Sequence, residues 1–217
     1  MHEGRSCVDA RHPFSPVTPT VDGDVLSVLA VVDAAFTAPQ VHRLLSPGLA
    51  SLSGVRKALT RLADQGTVTT ERLGGTQIGY RFNREHLAAE AIISLATTRE
   101  RLLQRFRDTL ATWAVRPAFG AIFGSWARRE AGTASDLDIF LVAPGDIDDD
   151  VWAGQVADLE RAATAWTGND ARAFVLTESE VREDPSEPVL ASIISEGIPI
   201  AGNPQWLRQA VRKAAAI

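Results

Sequence analysis

The residues best suited to chemistry lie between Phe119 and Val142, in the run F-G-A-I-F-G-S-W-A-R-R-E-A-G-T-A-S-D-L-D-I-F-L-V. An apolar segment, Phe119 to Phe123, leads into Gly124-Ser125, and a short helix is expected from about Trp126 to Glu130. Ser135-Asp136-Leu137-Asp138 then opens a second strand, Ile139 to Val142. Glycine at 124 lets the chain turn closely and leaves peptide N–H groups and the Ser125 hydroxyl to hold a phosphate oxygen. Asp136 and Asp138 are two apart, so on a strand their carboxylates share a face. Like charges that close repel, and a divalent cation relieves the repulsion. Mg²⁺ prefers carboxylates combined with substrate phosphates to an all-protein cage. Together these features imply phosphoryl or nucleotidyl transfer, with Gly124, Ser125, Arg128 and Arg129 as nucleotide-binding candidates. Asp136 and Asp138 are the catalytic and metal-holding candidates, for Mg²⁺ or Mn²⁺. Arg128 or Arg129 would offset charge on pyrophosphate or pair with Glu130 or Asp136.

The segment resembles the nucleotidyltransferase superfamily related to DNA polymerase β. The resemblance rests on Gly124-Ser125, the ten residues Trp126 to Ser135, and Asp136-Leu137-Asp138. That spacing is similar to the minimal nucleotidyltransferases, including antitoxins that transfer AMP to a toxin. The resemblance extends to bacterial proteins that fuse a winged helix to such a domain, through Tyr80 to His86, Thr167 to Asp170 and Glu196 to Gly202. It implies a nucleoside triphosphate donor, a hydroxyl acceptor and a third carboxylate on a later strand. The matching strand, Ala171 to Leu176, carries Phe174 at the position where that acid is expected. Asp170 is the substitute candidate for a catalytic role. The alternatives are that Asp136 and Asp138 suffice, or that nucleotide is bound without turnover.

The N-terminal half reads differently. Val25 to Phe36 is an apolar run expected to form a buried helix. Thr37, Ala38 and Pro39 begin a second helix reaching Leu45, with proline tolerated in the first turn. Leu52, Val55, Leu59 and Leu62 fall at spacings of three, four and three, which makes one face of a third helix from about Ser51 to Gln65. Thr67–Leu73 and Ile78–Phe82 read as strands around Gly74-Gly75. Three helices followed by a hairpin form a winged helix-turn-helix, a double-stranded-DNA-binding architecture with the third helix in the groove. Ser53, Arg56, Lys57, Arg61 and, on the wing, Arg72 are the DNA-binding candidates. Between Thr20 and His86 the 7 basic and 6 acidic residues leave little net charge.

The expected fold class is therefore α/β, more narrowly α+β. Residues 1–22 are expected to be a flexible tail, 23–84 the winged helix and 85–116 one long linker helix. Residues 117–217 are expected to be the nucleotidyltransferase domain, a mixed sheet flanked by helices. Charge follows the same division: residues 1–116 hold 14 basic and 11 acidic side chains, residues 117–217 hold 8 and 16. The single cysteine, Cys7, excludes a disulfide framework. No apolar stretch approaches the roughly 18 residues of a membrane span, and the N-terminus lacks an apolar signal core. A cytoplasmic protein is expected, with no membrane partner. The four histidines form no spaced ligand set for zinc. The expected function is a DNA-binding regulator with a metal-dependent nucleotidyltransferase domain, possible as a homodimer because winged helices often read two half-sites. Its alternatives are an antitoxin-like enzyme that transfers AMP to a partner protein, and a catalytically dead nucleotide sensor. Base preference, acceptor and operator are not legible in the sequence.

Overall fold

The computed structural model describes residues 12–18, 20–45, 47–128, 135–145, 147–184 and 186–214. The chain divides near residue 100 into two compact units. The first holds α1 (Val21–Leu29), α2 (Ala38–Leu44), α3 (Leu52–Asp64), β1 (Val68–Gly74), β2 (Gln77–Phe82) and α4 (Ala89–Ala96). Its core gathers Val25, Leu29, Val41, Val55, Leu59, Leu62, Val68 and Phe82. The expected periodicity of α3 holds, with Val55, Ala58, Leu59 and Leu62 buried. Ser51 caps that helix by accepting from the Gly54 N–H at 3.1 Å. A capping box between Thr37 and Gln40, with Pro39 in the first turn, starts α2.

Three expectations are corrected in this unit. The tail does not extend to residue 22: Phe14 is buried against the core, and its Cβ would lie 2.7 Å from a Cβ added at Gly23. His12 Nδ1 also meets Asp24 Oδ1 at 2.8 Å. Residues 1–11 fall outside the described set. The first helix is Val21–Leu29 rather than Val25–Phe36, with Asp22 and Asp24 in its first turn, where acids favour the helix dipole. The apolar run misled because Phe36 belongs to the hairpin: its backbone exchanges hydrogen bonds with Tyr80, both at 2.9 Å.

The third correction concerns the linker. Residues 85–116 are not one helix but α4 and α5 (Thr98–Ala111), separated at Thr97. The Thr97 and Thr98 hydroxyls turn back onto the carbonyls of Ile93 and Leu95 at 2.8 and 2.7 Å, a local competition that favours a helix end. Leu87, inside the expected linker helix, is fully exposed because no helix has yet begun there. α4 buries Ala89 and Ile92 in the first core. α5 buries Leu102, Leu103, Phe106 and Leu110 in the second unit.

The second unit continues with β3 (Phe119–Ile122), α6 (Gly124–Ala127), β4 (Leu137–Ala143), α7 (Asp149–Thr167), β5 (Ala171–Thr177), α8 (Glu178–Glu183), α9 (Pro188–Glu196), β6 (Ile198–Gly202) and α10 (Pro204–Ala214). The four strands lie in the order β5-β4-β3-β6. β4 and β5 are parallel, joined through α7, while β3 is antiparallel to both β4 and β6. The sheet is thus mixed, and the fold class is α+β as expected. Strand alternation sends Leu137, Ile139 and Leu141 into a core with α5 and α7. Phe119, Phe140 and Val142 enter a second core with Val181, Leu190, Ile193 and Leu207. Asp148 caps α7, accepting from the N–H groups of Asp150 and Val151, and Gly168 ends it with φ 74°.

Two elements were not anticipated. α8 has only Val181 buried and shows no apolar period; its start is fixed locally by a Thr177–Glu180 capping box. β6 contains Pro199, which argues against a strand unless the strand lies at an edge. β6 is indeed an edge strand.

Candidate functional site

The Gly124-Ser125 and Asp136-Asp138 segments meet where β3 runs into α6 beside the start of β4. The Phe123 N–H donates to the Asp138 carbonyl at 3.1 Å, extending the β3–β4 ladder by one bond. The next residue, Gly124, takes φ +67°, a left-handed conformation that side chains disfavour. A Cβ there would stand 2.5 Å from Asp138 Oδ2. Only glycine therefore lets the backbone come this close to the carboxylate. Ser125 follows, half-buried, and Trp126, 1 % exposed, pins α6 into the core.

On the other strand, Asp138 shares the face of Phe140 and Val142 and is half-buried. Burial first, and the charge of Asp136 second, push its carboxyl above the ordinary carboxylate range; Arg172 and Arg128 pull the other way. Two features fix the approach to Asp136. The Leu137 N–H donates to the Asp170 carbonyl at 2.8 Å. Asn169, buried to 1 %, donates from Nδ2 to the Ser135 carbonyl at 2.8 Å.

The structure thus brings Gly124, Asp136 and Asp138 together, with Ser125 and Arg128 on the same short helix turn. Arg128 donates to Glu196 Oε1 at 2.8 Å, a partner on α9 that the sequence reading did not foresee. Ser192 donates to the same oxygen at 2.8 Å. Both acceptor and support lie nearly seventy residues along the chain, and no local pattern links them to Arg128. Arg129 and Glu130 lie outside the described residues.

Asp170 stands at the start of β5 with Oδ2 accepting from Arg172 at 2.9 and 3.2 Å. Arg172 is the register partner of Asp138 across the parallel ladder, and its guanidinium reaches Asp136 Oδ2 at 3.5 Å. Phe174, at the expected place of a third acid, pairs in register with Phe140 and stacks on it with ring centroids 6.0 Å apart. Among the described residues no group of three or more His, Cys, Asp or Glu side chains is arranged to hold a metal ion. The donor set still fits one divalent cation that draws its remaining ligands from phosphate. Two carboxylates crowd together, one of them resisting ionisation, beside a backbone cradle that a Cβ would fill.

In the first unit, Ser53, Arg56 and Lys57 lie on the exposed side of α3, and Arg72 is exposed on β1. Arg61 differs: it holds both carboxylate oxygens of Asp22 on α1 at 2.9 Å. Arg81 is likewise held by Asp33 and Glu71, and Arg84 donates to the Ala30 carbonyl at the end of α1. Among the described residues, Arg56, Lys57 and Arg72 form no ion pair. No helix among them is long and apolar enough to cross a membrane.

No family model matches the chain, and no curated protein matches it. Among solved structures, a toxin-antitoxin complex with AMP-PNP aligns at 16% identity, over 52% of this chain and 84% of that one, with TM-score 0.39. A tri-AMPylated Shewanella oneidensis HEPN toxin in complex with its MNT antitoxin aligns at 14% identity, over 54% and 84%, with TM-score 0.36. The toxin-antitoxin pair MntA-HepT aligns at 14% identity over the same shares, again with TM-score 0.36. Likeness this slight decides neither activity nor partner, so the site's own geometry must carry the functional reading.

Proposed function

We propose that the second unit is a nucleotidyltransferase-type domain that binds a nucleoside triphosphate with Mg²⁺ or Mn²⁺. In this reading it transfers the nucleotidyl group to a hydroxyl acceptor. The observation that carries the reading is the left-handed Gly124 packed on Asp138, which sets a phosphate-accepting backbone turn directly against a carboxylate pair. Asp136 and Asp138 would hold the cation, whose chemistry there is to polarise the phosphate and offset its charge. The turn at Gly124 and the Ser125 hydroxyl hold phosphate oxygens. Arg128, oriented by Glu196, faces the charge that develops on pyrophosphate. The acceptor oxygen forms a bond to the α-phosphorus as the bond to the bridging oxygen breaks, and pyrophosphate leaves. Asp170 is engaged by Arg172, so the acceptor's proton passes to solvent.

The test follows heat on adding ATP, CTP, GTP or UTP with Mg²⁺, with pyrophosphate assayed in the same samples. Binding that disappears in Asp136→Asn/Asp138→Asn is the expected result. Equal binding in that variant and the wild type sinks the assignment. One observation favours a second reading, nucleotide sensing without turnover: the strand face beside Asp138 offers Arg172 and Phe174 where an acid would serve. That reading expects the same binding without pyrophosphate.

For the first unit we propose a DNA-binding, regulatory role. Three helices and an antiparallel hairpin, with Ser53, Arg56 and Lys57 exposed on α3 and Arg72 on β1, support reading this unit as a winged helix-turn-helix that takes double-stranded DNA as its partner. Arg61 is left out of the contact set because Asp22 already holds it. Arg56→Ala/Lys57→Ala is expected to weaken binding to a duplex selected from a random pool by the wild type. It should also lower the salt-dependence slope by about 1 for each phosphate contact removed. An unchanged affinity and slope, or failure of the wild type to enrich any duplex, sinks the groove assignment.

A further inference from the structure

Three carboxylates surround one guanidinium at the edge of the candidate site. Asp170 anchors Arg172 through two N–H groups on one oxygen, at 2.9 and 3.2 Å. Asp136 faces the same guanidinium at 3.5 Å, an ion pair too long for a direct hydrogen bond. Asp138 lies beside it in the strand register. The two attachments are therefore unequal. The Asp170 contact is short and doubled, so it holds the side chain in place. The Asp136 contact is looser and can be given up without moving Arg172 from its anchor. Arg172 is 67% exposed along its side chain, so nothing packed around it opposes such a movement.

We propose that Arg172 is the resident counter-ion of the Asp136–Asp138 pair, held in reserve by Asp170, and that it competes with a divalent cation for Asp136. This rests on the assignment of the pair as a cation site. The consequence is coupled loading. A bare cation must displace Arg172 from Asp136 and gains less by binding. A cation arriving with a polyphosphate frees the guanidinium next to new anionic oxygens, which it can accept as partners. The site then takes the cation–nucleotide complex in preference to the cation alone.

The test measures free Mn²⁺ by its electron paramagnetic resonance signal during titration of the full chain, first without nucleotide and then with ATP against a protein-free ATP blank. Four proteins besides the wild type are compared: Arg172→Gln, Arg172→Lys, Arg161→Gln and Asp136→Asn/Asp138→Asn. Arg161 is exposed on α7 and pairs with Asp158, so its variant removes the same charge away from the pair. Arg172→Gln is expected to bind Mn²⁺ about fivefold more tightly than the wild type, the scale of one exposed ion pair. Arg172→Lys and Arg161→Gln should stay near the wild-type value. Arg172→Gln should also lose most of the gain in Mn²⁺ affinity that ATP confers on the wild type. Equal or weaker Mn²⁺ binding in Arg172→Gln, with binding still abolished in Asp136→Asn/Asp138→Asn, overturns the counter-ion role and leaves the cation site standing. The same tightening in Arg161→Gln also overturns it, as a general charge effect. Mn²⁺ binding that ignores the Asp136→Asn/Asp138→Asn change overturns both.

Discussion

Gly124→Ala is expected to weaken cation-dependent nucleotide binding at the second unit by about tenfold or more, equivalent to at least ~1.4 kcal/mol. Two independent costs meet at this position. The first is conformational: at φ +67°, a residue with a Cβ pays roughly 1–2 kcal/mol relative to glycine. The second is steric: the added methyl would sit 2.5 Å from Asp138 Oδ2, so the carboxylate or the turn must move. Asp138 is half-buried and its strand is central, which leaves the turn as the part that yields. Either movement separates the phosphate-holding backbone from the carboxylate pair. Gly145→Ala is the matched control, since nothing lies within 4 Å of a Cβ there. Nucleotide titration with Mg²⁺ reads the function. Urea unfolding followed by tryptophan fluorescence reads the accompanying loss of stability. Unimpaired binding in Gly124→Ala would show that close contact between turn and carboxylate has no part in the function.

The features legible in the sequence were those set by local rules. The period of α3 and the Gly124-Ser125 turn after an apolar strand each depend on residues within a few positions of one another. The nearness of Asp136 and Asp138 was legible from their spacing, although only Asp138 lies on β4 and Asp136 comes one residue before it. What escaped depends on partners far along the chain. Glu196 reaches Arg128 from α9, Asn169 reaches the carbonyl before Asp136, and Asp22 on α1 holds Arg61, one of the candidates for DNA contact. Arg172 was not among the candidates read from the sequence. The parallel register shows its use as a partner for the acids themselves. The linker failed for a different reason. An apolar stripe that spans two helices in good phase reads as one helix, and only the threonine back-bonding at Thr97 and Thr98 marks the break. β6 failed because proline and glycine lower strand propensity, a prior that edge position overrides.

Phe140→Ala is expected to be the most destabilising single truncation in the sheet, at roughly 3–5 kcal/mol. Phe140 is 0% exposed at the middle of β4, the strand paired on both sides, to β3 and to β5. Its ring meets Phe119 at 6.2 Å and lies stacked with Phe174 at 6.0 Å. Removing it deletes the shared member of both aromatic pairs and leaves a void under α9 and α10, whose Leu190, Ile193 and Leu207 line the same core. Collapse is opposed from both sides, because β3 and β5 fix the backbone of β4 by ladder hydrogen bonds. Phe174, already 38% exposed, loses the surface that covers its inner face, so a second aromatic is unseated by the same change. Since a domain's whole stability is about 5–15 kcal/mol, the loss is a large part of what holds the second unit together. All five tryptophans lie beyond residue 100, so their fluorescence follows this unit and not the first. In urea, where the slope is about 1–3 kcal/mol per molar, the midpoint should fall by at least about 1 M. Far-ultraviolet circular dichroism should then separate into two transitions, the earlier one coincident with the tryptophan signal. A midpoint within a few tenths molar of the wild type would mean that the sheet does not depend on its central aromatic. The position of Asp138, two residues before Phe140 on the same face, would then be held by the ladders to β3 and β5 without the aromatic core.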